Sequence, residues 1–370
     1  MARPKKTWGI VKIRSARLCN YRNVGLSEAD LDAQSVWVCG ANAQGKTNLL
    51  EAVGLLGALR SFRTPKASNL IRHGEKAAQA LFSISHETMG DCSVLVEISQ
   101  NGRRVCVDGD EQRRLADFIG RFPVTALSSD DIKLVRGAPA ERRRFADMLI
   151  SSLDPEYFEN LRAYHAALAQ RNALLRSRSA DAASFDAFER EMARRGAPLS
   201  ASRARWLDEL AGIAGLKYSA LSGGREAASV RLRASSGFSG ADEFLGALAR
   251  ERPRDALLGT TSFGPHRDDF CVSVDGKGVR EFASEGQQRS VALALRLAQH
   301  ELAWRTLNVR PLLLCDDILG ELDESRRRAF WEAADPDAQL VATSTSELPE
   351  NSSPRRGWKT VRVSGGTFSA

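Results

Sequence analysis

Residues 40–47 read GANAQGKT and residues 311–317 read PLLLCDD. Between them these stretches hold the residue types needed to grip a nucleoside triphosphate and to direct water onto it. Gly40 and Gly45 let the backbone come close to an anion. The N–H groups of Gly40, Ala41, Asn42, Ala43, Gln44, Gly45, Lys46 and Thr47, with the helix start behind them, can then wrap phosphate oxygens. Lys46 adds a point charge for the β- and γ-phosphates, and the Thr47 hydroxyl suits Mg²⁺. Asp316, closing an apolar run, is placed to complete the Mg²⁺ shell, and Asp317 to orient or deprotonate an attacking water. The bland alternatives are a glycine-rich turn with a chance lysine and a strand ending in a solvated acidic turn. Each weakens because the other motif is present.

The flanking elements fit. SVWVC runs into the glycine loop as a buried strand, and TNLLEAVGLLGAL leaves it with apolar residues at helical spacing. GIVKIRSARL, SVLVEIS and RRVCVDG add strands, with more short strands expected across 76–126. The texture turns helical near Arg136. Asp154-Pro155 is a helix opening, followed by Tyr157, Leu161, Tyr164, Leu168 and Leu175 at coiled-coil-like spacing in a repeat too brief for a long coiled coil. RSRSADAAS reads as a polar connector to a second helix carrying Trp206, Leu210 and Ile213. Strand character returns at FCVSVDGKGV, then a long helix, QRSVALALRLAQHELAWR, and buried strands at PLLLC and LVATST. The reading is an α/β P-loop head in two parts, 1–128 and 256–370, with a mainly helical lobe inserted at 129–255.

Composition sets bounds on the class. The chain has 370 residues, 43% apolar and 27% charged, which suits a globular protein of two domains. No apolar stretch reaches the roughly 18 residues a membrane span needs, and MARPKKTWGI lacks an apolar export core. A cytoplasmic protein without a membrane partner is expected. The six cysteines, Cys19, Cys39, Cys92, Cys106, Cys271 and Cys315, form no C-x-x-C pair or metal-ligand spacing, so reduced buried thiols are expected. A net charge of +7 fits a polyanionic partner such as nucleic acid, and fits equally an arginine excess without such a role.

Spacing decides the class of ATPase. Lys46 and Asp316 stand near opposite ends of the chain, whereas compact P-loop enzymes complete both motifs within one uninterrupted domain. The split resembles ABC-type ATPases of the SMC kind. Their third element is a signature segment that closes over the γ-phosphate held by a second subunit. FASEGQQRSVALALRL supplies it, with Ser284, Gly286 and Gln287 before a long helix that Ser284 can cap. It reads SEGQQ where transporters have SGGQ, and an ordinary capped amphipathic helix is the bland alternative.

Over nearly its whole length the chain resembles the RecF family of bacterial recombination-repair ATPases. The resemblance lies in NYRN, GANAQGKTNLLEA, SFR, DIKLVRGAPAERRRFAD, AYHAALAQRNALL, TSFGPHRDD, EGQQRSVALALRLA and DDILGELDESRR. It implies an ATP- and Mg²⁺-dependent protein that homodimerises around ATP, binds gapped or junction DNA, hydrolyses slowly and works with RecR and RecO to load RecA at single-strand gaps. Under it Lys46, Asp317 and Ser284 are the catalytic set, with Ser284 acting in trans, and Glu321 to Asp323 resemble a D-loop at the dimer seam. Arg63 is either a phosphate-sensing arginine or a solvated surface residue. Arg60, Arg63, Lys66 and Arg72 are the DNA-contact candidates. Arg142, Arg143 and Arg144 read either as a solvated helix face or as phosphate readers. Three departures stand out: ALSSDD before the lobe, Thr343 and Thr345 where transporters place a switch histidine, and Asp317 where they carry glutamate. The alternatives from other classes are a transporter's nucleotide-binding subunit and an SMC-like nuclease partner. The inserted lobe, the motif spacing and the basic charge weigh against the first, and the short insert against the second.

Overall fold

A computed structural model describes residues 9–64, 66–177, 182–235, 237–348 and 357–370. The basic start of the chain, residues 178–181 of the expected polar connector and the polar stretch 349–356 lie outside these. The chain divides into two compact units. The first comprises Met1–Asp131, Lys217–Glu226 and Ala292–Ala370, and the second Ile132–Leu216 and Ala227–Val291.

In the first unit β1 (Gly9–Tyr21), β2 (Val24–Asp30), β3 (Ser35–Cys39), α1 (Lys46–Ala58), β4 (Ala77–His86), β5 (Gly90–Ser99), β6 (Gly102–Val107), β7 (Asp110–Glu111) and β8 (Val124–Ser128) come first. In the second unit follow α2 (Lys133–Arg136), α3 (Pro139–Leu153), α4 (Pro155–Arg176), α5 (Ala182–Ser222), β9 (Ala228–Arg233), α6 (Ala241–Leu258), β10 (Asp269–Val274), β11 (Lys277–Gly278) and α7 (Val279–Phe282). α8 (Glu285–Leu307), β12 (Val309–Arg310), β13 (Leu312–Asp316), α9 (Ile318–Glu321), α10 (Glu324–Ala333), β14 (Leu340–Ser344), β15 (Trp358–Ser364) and β16 (Thr367–Ser369) complete the chain. Two of the four unit boundaries fall inside α5 and α8.

The first unit has two sheets. One is mixed, in the order β12-β1-β4-β5-β6-β7 with β2 also on β1, and the other is β16-β15-β3-β14-β13-β8. Strands β15, β3, β14, β13 and β8 are mutually parallel and only β16 runs against them. This explains their sequence texture. SVWVC and LVATS are buried at every position, as strands covered on both faces must be. β4, by contrast, alternates buried and exposed along most of its length, the mark of a strand with one covered face. Gln339, 1% exposed, joins the two sheets. Its Oε1 accepts from Ile13 N at 2.7 Å, and its Nε2 donates to the carbonyls of Ile13, Leu31 and Ala33.

The second unit holds a three-stranded sheet, β11-β10-β9, beside its helices, so it is less purely helical than the sequence indicates. Its extent differs too. Residues 256–291, expected with the head, belong here, and 217–226, expected in the lobe, belong to the first unit. The reasons are local. β10 pairs with β9 along six residues, and Asp268 and Asp269 bind Arg203 and Arg142. Lys217 instead pairs with Glu301 at 2.8 Å and donates to the Ala333 carbonyl. In α4, capped by Asp154 accepting from Tyr157 N, Leu161 is only half-buried. The interior position goes to Arg171, which is wholly buried and bonded to Glu189, Asp255 and Thr261.

TSFGPHRDD knots this unit together. Gly264 has φ +129°, and a Cβ there would sit 2.6 Å from the Tyr164 hydroxyl, so only glycine fits. His266 accepts from Tyr164 at 2.7 Å and donates to the Thr261 carbonyl at 3.0 Å, which fixes one neutral tautomer. Burial above all, and then the nearby Arg267 charge, lower its pKa to about 4.

Two outcomes follow. Gln339→Leu strands one N–H and three carbonyls, and is expected to cost about 3 kcal/mol in urea unfolding. A change below ~1 kcal/mol would show that the two sheets do not depend on it. Because the unfolded state takes up the His266 proton first, stability is full above about pH 6.5 and falls toward pH 4. The loss from this residue is about 3 kcal/mol, and His266→Gln flattens that part of the pH profile.

Candidate nucleotide site

The glycine loop leaves β3 and opens α1. A Cβ on Gly40 would lie 2.3 Å from the Val363 carbonyl, and Gly45 sits at φ +120°, so both positions require glycine. No side chain caps α1, which leaves its first N–H groups turned to the loop. Lys46 is buried, and its ammonium folds back onto the carbonyls of Gly40 at 2.8 Å and Ala41 at 3.0 Å. Two further elements brace the loop. Asn23 donates to the carbonyls of Ala43 and Gln44 and accepts from Asn48 at 2.7 Å. The β15–β16 turn contributes Gly366 N to Gln44 O at 2.9 Å and Gly365 N to Gln44 Oε1 at 2.7 Å.

The second motif lies at the carboxyl ends of the neighbouring parallel strands, where open α/β sheets bind ligands. Thr47 Oγ1 donates to Asp316 Oδ1 at 2.8 Å. Thr343 Oγ1, at the end of β14, donates to the same oxygen at 2.9 Å and accepts from Asp317 N at 2.9 Å. Burial raises the Asp316 carboxyl above its usual range. The two hydroxyls work against that shift, and the neighbouring Asp317 charge adds to it. Asp317 takes the left-handed conformation, φ 54°, at the start of α9, and is half-exposed. Thr47 and Asp316 therefore offer two hard oxygens side by side. Among the described residues no cluster of three or more His, Cys, Asp or Glu side chains makes a ready cation cage. A carboxylate and a hydroxyl beside a phosphate loop fit Mg²⁺, which keeps its remaining positions for phosphate and water.

Three features of the site were not legible as roles in the sequence. Arg22 of NYRN and Ser61 of SFR belong to one cluster around Glu51, a fully buried acid on α1, while Asn23 braces the glycine loop. Arg22 binds Glu51 through two hydrogen bonds of 2.8 and 2.7 Å, and the Ser61 hydroxyl donates to it as well. Arg63 lies 3.8 Å from Glu51 and donates to Asn48 Oδ1 at 3.2 Å, so it is tethered to the loop helix rather than freely solvated. An acid inside the apolar face of α1 was the available signal. Thr343 is the second feature, and the Gly365-Gly366 turn the third. Thr345, its companion in the sequence, is exposed.

The signature segment lies in the second unit. Ser284 is exposed and caps α8: Gln287 N donates to its hydroxyl at 3.3 Å, and the Gln287 side chain accepts from Ser284 N at 2.7 Å. This reciprocal pair is a capping box, with Gly286 inside the first turn. Asp323, of the D-loop-like stretch, caps α10 by accepting from Arg326 N. ALSSDD ends β8 in a turn closed by Asp131, which accepts from Ser128 N and pairs with Arg296.

The basic candidates separate. Arg60, Lys66 and Arg72 are exposed. Arg142 is neither a solvated face nor a phosphate reader. It is buried, holds Asp269 by bonds of 2.7 and 2.9 Å, and donates to the Gly137 carbonyl. Arg143 donates to the Asp268 carbonyl. All six cysteines are free, and Cys271, expected buried, is exposed.

A family model described as RecF/RecN/SMC N terminal domain matches residues 12–353. A DNA replication and repair protein RecF from Synechococcus sp. (strain JA-2-3B'a(2-13)) is 36% identical over 347 residues, covering 90% of this chain and 91% of the relative. The protein of the same name from Thermosynechococcus vestitus is 35% identical and covers 97% of each chain. Among solved structures, the recombination mediator protein RecF-ATP of a RecFOR pathway superposes with a TM-score of 0.89 at 25% identity, over 99% of both chains. An Smc head domain from Pyrococcus furiosus shares the fold, with a TM-score of 0.54 at 17% identity over 97% of this chain and 95% of that one.

The raised Asp316 carboxyl yields a test. Its ionised form is disfavoured by the fold, so the penalty is absent in acid and complete at pH 7.5. In EDTA at pH 7.5, Asp316→Asn is expected to raise the melting temperature, an advantage that shrinks as the pH is lowered. A lower melting temperature for the variant at pH 7.5 would show that the ionised carboxylate is stabilised where it stands.

Proposed function

The chain belongs to the RecF family, and from that premise we propose that it is an ATP-driven DNA clamp of recombinational repair. Its fold is that of an ABC/SMC-type ATPase head. The observation that carries the reading is the hydrogen bond between Thr47 and Asp316, 269 positions apart in sequence. It joins the phosphate loop to the strand-end acid in the way a nucleotide site requires.

In this reading residues 40–47 wrap the triphosphate, and Lys46 exchanges its two loop carbonyls for the β- and γ-phosphate oxygens. Thr47 and Asp316 would hold Mg²⁺, which would supply positive charge to those oxygens. Asp317 orients the attacking water, with Thr343 fixing its backbone N–H. Ser284 of a second copy, at the mouth of its α8, closes over the γ-phosphate. ATP thereby joins two heads, and hydrolysis releases them from each other and from DNA. An aspartate at 317 holds the water less firmly than the longer glutamate of transporters, which favours slow turnover. The family reading extends to RecR and RecO as partners, to gapped or junction DNA as the site of action, and to assistance in loading RecA.

Light scattering with and without Mg-ATP tests this. Lys46→Ala is expected to abolish ATP binding. Asp317→Asn is expected to bind ATP and accumulate as dimers that gapped DNA stabilises. If Asp317→Asn stays monomeric under saturating Mg-ATP, the clamp reading is wrong.

A further inference from the structure

Among the described residues, the most deeply buried arginines are paired with acids. Arg142 pairs with Asp269, Arg171 with Glu189 and Asp255, Arg203 with Asp147 and Asp268, and Arg310 with Asp335. A guanidinium cannot shed its proton inside a protein, so withdrawing one from water without a counter-charge is costly.

Arg103 breaks this pattern. β6 pairs with β5 so that Arg103 stands opposite Ile98, Val105 opposite Val96 and Val107 opposite Val94. All five of those partners are buried, so the pleat aims position 103 at the core face. Arg103 is accordingly half-buried, and its Nε is sealed from solvent with no hydrogen-bond partner among the described residues. Its neighbour Arg104, on the other face, is bridged to both Glu97 and Glu111.

The surroundings of Arg103 are cationic. The buried Tyr21 hydroxyl, also without a partner, lies in the combined field of Glu51, Arg22, Arg63 and Arg103. Arg60, which follows the end of α1, acts on Arg103 directly: burial first, and then the Arg60 charge, push the Arg103 guanidinium below its ordinary value. Glu51, the acid in that field, is already taken by Arg22, Ser61 and Arg63. Among the described residues no ion pair joins Arg103 or Arg60 to an acid. Arg60 stands a full helix of 13 residues beyond Lys46, about 20 Å along the axis, so the triphosphate in the loop does not neutralise Arg60.

We propose that Arg103 and Arg60 form a seat for a backbone phosphate of DNA, with the exposed Lys66 and Arg72 available to neighbouring phosphates. The proposal rests on the reading that the chain binds DNA, and adds where the strand is gripped. The seat is sequence-blind, because a guanidinium on a phosphate carries no base information. A half-desolvated arginine also binds a phosphate more strongly than a fully hydrated one does, since much of its hydration is already lost.

The test is fluorescence anisotropy of labelled gapped duplex in Mg-ATP across a NaCl series. The variants are Arg103→Gln, Arg60→Gln and the pair, with Arg104→Gln as control. Each phosphate contact removed should lower the slope of log affinity against log salt by roughly 0.9. The double variant should therefore lose about 1.8, equally on unrelated sequences, while Arg104→Gln keeps the wild-type slope. Should Arg103→Gln fail to fold, Arg60→Gln alone should still lose about 0.9. A wild-type slope in the folded variants overturns the seat and leaves the clamp reading standing. A wild-type protein with no DNA affinity overturns both. A loss of Mg-ATP affinity in the variants, with the DNA slope unchanged, would assign the cluster to a nucleotide phosphate and overturn the proposal.

Discussion

One carboxylate oxygen organises the nucleotide site. Asp316 Oδ1 accepts from Thr47 on the loop helix and from Thr343 on the adjacent strand. Three segments distant in sequence converge on it because β3, β14 and β13 are neighbours in one parallel sheet. Parallel register places their carboxyl ends at one edge, with Ser344 opposite Cys39 and Cys315 opposite Ala342. The site is thus a product of topology more than of side-chain choice. The two hydroxyls offset part of the cost of burying that carboxylate. A carboxyl held in that condition is costly to the fold, as functional groups commonly are.

Glu51 is the second organising group. It sits on the loop helix, wholly buried, and draws in Arg22 from the β1–β2 turn and Ser61 and Arg63 from the loop beyond α1. Arg63 also reaches Asn48, which in turn holds Asn23 against the glycine loop. A chain of polar contacts therefore runs from the loop carbonyls to the cationic cluster around Tyr21. Its members share hydrogen bonds, so the network fixes the loop helix, the β1–β2 turn and the segment after α1 relative to one another.

The two ends of the site were readable because each is a local pattern in a strand context: an apolar strand, then a loop whose conformation demands glycine, or an apolar strand, then an acid. The signature cap was readable for the same reason, with Ser284 and Gln287 three residues apart. What stayed hidden was long-range. Nothing local marks Thr343 as the second donor to Asp316, because its neighbour Thr345 is chemically identical and faces solvent. Nothing marks Arg142 as interior within ERRRF, where its partner Asp269 lies 127 positions away. The boundary of the second unit was missed likewise, since β9 finds its pairing strand only after α6 has intervened.

Arginine is where composition and structure part company. The net charge of +7 invites the picture of a uniformly basic surface, yet several arginines are internal fasteners in the second unit and contribute no attraction at long range. The charge that matters for a polyanion is the charge left unpaired. In the first unit that surplus includes Arg103 and Arg60, which no described acid pairs, with Arg60 just past the far end of the helix whose near end holds the phosphate loop. A single element, α1, thus has an anion cradle at its N-terminus, where the helix dipole assists, and Arg60 just beyond its C-terminus, where the dipole again favours its sign. Both ends of the helix are electrostatically consistent with the anions they would meet: the triphosphate directly, and DNA through the arginines.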